Sequence, residues 1–388
     1  MRAAVLALVC AALAVAAVLG IGLAAGFVGG QTTKTVVVQE PAPAANTPAA
    51  LHSVAPVQSA GFSPATIFAR RSPGVVTVFS YFGSTAAQGS GFVVSRAGVI
   101  LTNAHVITNA GETSGTVRAA ASVYVQFADG DRVPAHIVGW DVFDDVGVLR
   151  VVPAAHPLVV VPLGRSATVV VGEPVAAIGS PLGNSDSLAV GIVSAVRRSI
   201  AALTAPKFQL TDAIQTDTPL AHGSSGGPLL DARGRAIGIN AQIRSDQGGS
   251  SGIGFAVPID AARRSLSALL TKGHVSYAYA GIQSQDLTPS LARHLRLPVA
   301  HGALVDTVSA GGPAAAAGLR GSTHEELFEG EAVPVGGDVI VAVDGLPVRN
   351  ADDLVRIVTN VLRPGQTAVF SVVRTSGRQT VAVKLTAR

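Results

Sequence analysis

Short runs of β-branched and aliphatic residues, separated by glycine and polar turns, dominate the chain from about Phe62 onward. Residues 74–79, 91–94, 98–106, 123–127, 133–138 and 146–151 are such runs, and so are 228–230 and 236–240, on either side of the polar turn Asp231-Ala232-Arg233-Gly234-Arg235. Many short strands with turn signals between them predict an all-β barrel or sandwich. The pattern then switches to helical spacing over 260–273, with Asp260 placed to cap the start and Gly273 to end it. A second, smaller unit follows. Leu354, Ile357, Val358, Val361 and Leu362 share one side of a helix predicted over 350–362, and strands over 370–373 and 381–385 flank a turn at Ser376-Gly377. This reads as a small α+β module. Residues 321–336 form a polar, acidic insertion with no element assigned to it.

Residues 3–29 carry no charged side chain. A bilayer span needs about 20 apolar residues, whereas the apolar core of a cleaved signal is roughly 7–15 long. The expectation is therefore an uncleaved signal anchor at 1–29, with small residues near Ala24-Ala25-Gly26 leaving cleavage as the alternative. Arg2 is the one charge before the run and favours a cytoplasmic N-terminus, which puts the rest of the chain outside the cytoplasm. With cleavage, the chain would be periplasmic or secreted. Residues 30–63, rich in Pro, Ala, Gln, Thr and Val, suit a flexible linker.

Composition narrows the function classes. Net charge is only +4, aromatic residues make up 4% and no basic cluster occurs, so nucleic-acid binding has no support. Cys10 is the single cysteine and excludes an intrachain disulfide. The histidines are scattered without the close His/Cys/acid spacing of a zinc site, so no metal or cofactor is expected.

The candidate chemistry centres on Gly223-Ser224-Ser225-Gly226-Gly227-Pro228. Glycines around a serine allow a tight turn and close approach of a substrate to the main chain. The serine hydroxyl is then presented beside free backbone N–H groups, which an acyl-transfer enzyme needs to hold a developing oxyanion. Alone, the run is equally a glycine-rich turn with an idle serine. Two other blocks change that balance. One β-branched run ends at Thr102-Asn103-Ala104-His105-Val106, and Asp144-Asp145 heads the run Val146-Gly147-Val148-Leu149. Serine is a weak nucleophile that needs an adjacent base; histidine serves near pH 7, and a buried carboxylate orients it. The order His105, Asp145, Ser225 is that of chymotrypsin-type proteases. Asp141 and Asp144 compete for the orienting role and read as solvated loop acids; His222 reads as a loop or subsite residue. The segment also fits the esterase nucleophile elbow. That motif requires a helix after the serine, where this pattern has strand, turn, strand.

These three blocks resemble the catalytic blocks of the HtrA/Deg family of serine proteases. Further similarity lies in Ala177-Ile178-Gly179-Ser180-Pro181, Gly191-Ile192-Val193-Ser194 and Gly254-Phe255-Ala256-Val257-Pro258. The resemblance implies a mainly β fold: a chymotrypsin-like double β-barrel protease domain over 64–273, then a small α+β PDZ domain over 276–388. It implies catalysis by His105, Asp145 and Ser225, with the backbone N–H groups of Gly223 and Ser225 as the oxyanion hole. Pro219, Leu220 and Ile243 fall where the family has its substrate pocket, which implies cleavage after small aliphatic residues. Tyr279-Ala280-Gly281-Ile282 resembles the loop that binds peptide C-termini. Implied partners are unfolded polypeptide substrates and further copies of the chain, as a homotrimer. The family usually has Asn where this chain has Ala221 and Ser224. That departure leaves a second reading, a catalytically idle, chaperone-like peptide-binding protein.

Overall fold

Strands buried on both faces explain why the apolar runs are continuous rather than alternating. In the computed structural model, strand β1 (Val75–Phe82) sends Val76 and Val78 into the interior of a barrel, while Val75 faces the opposite way. On β3 (Val99–Thr102), Ile100 points inward, and Val99 and Leu101 point outward into a second core. With β2 (Thr85–Val93), β4 (Ser122–Gln126), β5 (Arg132–Asp141) and β6 (Val146–Arg150), these strands close in the order β1-β2-β3-β6-β5-β4. The model describes residues 61–110, 116–180, 187–201, 204, 209–221, 223–241, 253–374 and 377–388.

The next six strands repeat the plan. They are β7 (Pro174–Gly179), β8 (Ser187–Ala201), β9 (Gln209–Thr216), β10 (Pro228–Leu230), β11 (Ala236–Ala241) and β12 (Gly254–Pro258). They close as β10-β11-β12-β9-β8-β7, the same order of pairing six strands later. The outward-facing residues of both barrels meet in one shared core that includes Phe92, Leu101, Val148, Ile178, Leu230 and Val257. The all-β expectation resolves into two barrels with a common seam. Ser225 precedes a strand, β10, so the helix required by an esterase elbow is absent at that position.

Helix α1 (Pro64–Arg71) precedes the first barrel, and the one-turn helix α2 (Ala104–Ile107) follows β3. Helix α3 (Ile259–Lys272) packs back across the seam through Ile259, Ala262 and Leu269. Gly273 ends it in the left-handed region (φ 77°), with its N–H on the Leu269 carbonyl at 3.1 Å. Asp260 does not cap the helix. The helix starts one residue earlier, and the Asp260 carboxylate instead accepts from Ser166 Oγ and the Ala167 N–H, both at 2.9 Å, and pairs with Arg263.

The C-terminal module has its own core, which includes Val305, Ile340, Leu354, Phe370 and Val383. Its main sheet runs β14 (Ile282–Leu287), β15 (Gly302–Val308), β18 (Val339–Val343), β20 (Thr367–Arg374) and β21 (Gly377–Lys384), and β19 (Leu346–Pro347) pairs with β18. Strands β13 (Ala278–Tyr279) and β22 (Thr386–Ala387) form a second pair. The insertion at 321–336 is a hairpin, β16 (His324–Phe328) and β17 (Glu331–Val335). Short helices α4 (Pro289–His294) and α5 (Pro313–Ala316) lie in connections. The helix expected over 350–362 is α6 (Ala351–Arg356), capped by Asn350, whose side chain accepts the Asp353 N–H at 2.8 Å. Its continuation, Ile357–Val361, winds as a π turn closed by the Leu362 N–H on the Ile357 carbonyl.

The anchor expected at 1–29 and nearly all of the linker expected at 30–63 lie outside the described residues. Among the described residues, no helix is long and apolar enough to cross a membrane.

Candidate active site

Asp145 grips His105 at two points. Its Oδ2 lies 2.8 Å from His105 Nδ1, and its Oδ1 accepts the His105 backbone N–H at 3.0 Å. The second bond exists because His105 stands in the first turn of α2, where backbone N–H groups have no partner within the helix. Asp145 itself sits in the β5–β6 connection with φ 49°, a left-handed conformation that costs energy for a side-chain-bearing residue. Asn103 holds it there by donating from Nδ2 to the Asp145 carbonyl at 2.8 Å. Asn103 occupies the cap position of α2 without capping it, because its side chain is committed to Asp145. Asn103 has no role in the sequence pattern beyond its place two residues before His105; its bond to Asp145 is visible only in the fold.

The carboxylate is buried, whereas the His105 side chain keeps 24% of its surface exposed, so the ring opens onto a surface that a substrate can reach. Burial pulls the imidazole toward its neutral form, but the Asp145 charge and hydrogen bond outweigh it and raise the His105 pKa above the usual value. The same interactions favour the imidazolium that forms when His105 accepts a proton.

Ser225 is held against the histidine side of the seam. Its carbonyl accepts the Ser90 N–H from β2 at 2.7 Å. A Cβ on Gly89 would meet Val106, the neighbour of His105, at 2.6 Å and the Ser225 carbonyl at 3.1 Å, so glycine there lets the two barrels close up. Gly226 is required more strictly. Its φ is 89°, and a Cβ would lie 2.0 Å from the Ser90 carbonyl oxygen and 2.4 Å from Thr102 Oγ1. The Gly226 and Asn240 backbones meet at 2.9 Å, and Asn240 returns its N–H to the Gly227 carbonyl at 2.8 Å. The loop is thus fastened to both barrels. The Gly223 N–H meets no acceptor among the described residues.

Pro219 and Leu220 stand at the other end of this loop. Pro219 is exposed, while Leu220 is buried with Val193, Ile214 and Ala256 in the second barrel and packs on Gly254. Ile243 and His222 lie outside the described residues. Tyr279, Ala280, Gly281 and Ile282 belong to a separate feature, a cleft of about 570 Å³ between β14 and α6. Arg388 lies over the Tyr279 ring, 4.9 Å from its centre, and also lines the cleft.

Asp141 and Asp144 are not solvated acids. They retain 2% and 6% of their surface, because the segment joining the two modules covers them. Asp141 accepts from the hydroxyls of Tyr277 and Ser265 and from the N–H groups of Phe143 and Asp144. Burial still outweighs these bonds and raises its pKa. Burial, and then the charge of Asp141, push Asp144 up to about 7, with Arg264 at 3.7 Å offsetting part of the cost. Arg264 also donates to Asn360 of the C-terminal module, which donates to Asp212 at 3.1 Å. The residue preceding Asp145 is therefore part of the seam between the modules.

Comparison with known proteins places this architecture. Residues 89–239 match the trypsin-like peptidase domain, and residues 278–385 match the PDZ domain. The solved structure of the HtrA-type protease AlgW with a tripeptide superposes with a TM-score of 0.69 at 32% identity, over 84% of this chain and 97% of that one. The chain belongs to the HtrA family of serine proteases. This HtrA-family chain is also 38% identical over 281 residues to the putative serine protease HhoA of Synechocystis sp., covering 70% of its own length and 64% of that protein. It is 37% identical over 295 residues to a probable periplasmic serine endoprotease, DegP-like, of Pseudomonas fulva, covering 76% of its own length and 55% of that protein. The HtrA chain thus spans between half and two thirds of the length of these curated relatives.

Proposed function

We propose that the chain is a serine endopeptidase acting outside the cytoplasm on unfolded or damaged polypeptides. The observation that carries the reading is the two-point grip of Asp145 on His105, in the same barrel whose strand β2 holds the nucleophile loop through Ser90. Ser225 attacks the scissile carbonyl while His105 takes its proton. Asp145 keeps the ring oriented and offsets the imidazolium charge. The N–H groups of Gly223 and Ser225 receive the oxyanion. His105 then returns the proton to the leaving amine, and water releases the acyl group by the same steps in reverse. The chemistry needs no metal or cofactor. The protease unit is taken as 64–273 and the PDZ unit as 276–388.

Pro219, Leu220 and Ile243 are proposed to shape the primary pocket. None of them carries a charge, and burying a substrate Lys or Arg without a partner is costly. Sequencing the fragments of unfolded casein tests the activity and the pocket together. Cuts after Val, Ala or Ile are expected, graded because each fitting methylene contributes about 1–3 kcal/mol. No fragments would overturn the endopeptidase reading, and a Lys/Arg signature would overturn the pocket alone.

The cleft between β14 and α6 is proposed to bind peptide C-termini, as an added strand whose carboxylate meets the Tyr279–Ile282 loop. The relative AlgW was solved with a tripeptide, which supports a peptide ligand here. A free-acid peptide ending in an apolar residue should bind at least tenfold more tightly than its C-terminally amidated twin. Equal affinities by titration calorimetry would exclude carboxylate capture. An extracytoplasmic setting, an N-terminal membrane anchor and assembly as a homotrimer complete the proposal. The first agrees with the periplasmic designation of the Pseudomonas relative.

A further inference from the structure

Every hydrogen-bonding group of Ser90 is committed to the active-site seam. Ser90 lies on β2, fully buried. Its N–H donates to the Ser225 carbonyl at 2.7 Å, and its carbonyl accepts from Thr102 Oγ1 at 2.6 Å, three residues before His105. Its hydroxyl does two further things. Oγ accepts the Ser180 N–H at 2.9 Å, from the end of β7, and donates to the Gly223 carbonyl at 2.6 Å. The direction of the second bond is fixed by its partner, since a carbonyl can only accept.

We propose that Ser90 is a positioning residue that sets the oxyanion-binding geometry by anchoring the Gly223 carbonyl. The Gly223–Ser224 peptide can turn about its neighbouring bonds, because glycine, here at φ 94°, allows conformations that other residues resist. Two bonds hold that peptide plane. Its N–H donates to the Ala221 carbonyl at 3.0 Å, within the same loop. Its carbonyl is held by Ser90, from the other barrel. The internal bond can turn with the loop, whereas the Ser90 bond refers the loop to β2, which Thr102 ties to the end of β3, three residues before His105. The N–H groups of Gly223 and Ser225 lie on either side of this anchored unit. Their convergence on one point therefore depends on the Ser90 hydroxyl. A donor displaced from the oxyanion loses much of its value in the transition state and little in the ground state.

The inference rests on the proposed serine-protease chemistry. Ser90→Ala isolates the hydroxyl, since both backbone bonds of residue 90 remain. The half-buried Gly223 carbonyl and the buried Ser180 N–H lose this partner, so thermal melting must first show that the variant is folded. In folded S90A, kcat for casein-derived peptides is expected to fall about 10- to 100-fold, short of the 100- to 1,000-fold typical of deleting an oxyanion donor. KM should stay within about twofold. A peptide aldehyde ending in valinal, which forms a tetrahedral adduct, should lose affinity by the same factor as kcat/KM. The corresponding product acid should bind unchanged. Ser80→Ala is the control: Ser80 is an equally buried serine on β1 whose hydroxyl has no partner, and its loss should leave all three measurements unaltered. Wild-type kcat in folded S90A would overturn the positioning role while leaving the protease reading intact. Equal losses for aldehyde and product would indicate general loosening and overturn it as well. A wild-type protein without turnover would remove both readings.

Discussion

Ser225→Ala is expected to lower kcat on unfolded casein by on the order of 10⁴–10⁶-fold, with KM and melting temperature close to wild type. The substitution removes one oxygen and leaves the loop's fastenings in place, because those run through main-chain atoms: the Ser225 carbonyl to Ser90, Gly226 to Asn240 and Asn240 to Gly227. Substrate binding is untouched, and what disappears is the route through an acyl-enzyme. Residual turnover would come from oxyanion stabilisation of direct attack by water. Progress curves with enzyme in large excess resolve a loss of this size. Turnover above a tenth of wild type would place the nucleophile elsewhere.

Asp145→Asn should cost about 10⁴-fold in kcat near neutral pH with little change in fold. Asparagine tolerates the left-handed conformation that Asp145 adopts at φ 49°, and the Asn103 bond to its carbonyl survives. The grip on His105 does not survive. Asp145 now accepts at both oxygens, from the ring at Nδ1 and from the backbone N–H. An amide has one accepting end, and when that end keeps the backbone N–H, its NH₂ faces Nδ1. The imidazole must then carry its proton on Nε2, the nitrogen that should receive the proton of Ser225. The negative charge is also lost, so the pKa of His105 should fall, and the acid limb of the remaining activity should move to lower pH. A loss of less than tenfold, or an acid limb that does not move, would count against Asp145 as the orienting group.

What could be read from the chain and what could not divide along sequence distance. Strands were legible because their apolar runs are local, and the turn after Ser225 was legible because Asp231 to Arg235 is polar and contains Gly234. The cap at Gly273 followed from a glycine at the end of a helical pattern. Asp260 misled because the rule considers only its own helix, whereas its carboxylate is engaged by Ser166 and Ala167, 94 and 93 residues away. Asp141 and Asp144 look solvated because carboxylates in a connection between two strands are usually exposed. Their burial depends on Ser265 and Tyr277, which lie 124 and 136 residues from Asp141 in the chain. The 321–336 hairpin escaped notice because β16 is exposed along nearly its whole length and β17 buries the adjacent pair Val333 and Pro334, so neither shows the alternation of a half-buried sheet. Ser90 was hidden for a related reason: a serine between two glycines on an apolar strand shows its purpose only once the other barrel is in place.

The division of labour between the barrels has a consequence for the life of the chain before it is complete. His105 and Asp145 belong to the first closed set of six strands, and Ser225 to the second. What joins them is the layer of contacts that Ser90 and Thr102 of the first set make with Gly223, Ser225 and Gly226 of the second, a layer that needs both sets in place. On the proposed chemistry, a copy with one barrel finished would hold a base without a nucleophile, or a nucleophile without a base. On that reading, cutting would be confined to chains in which both barrels have closed.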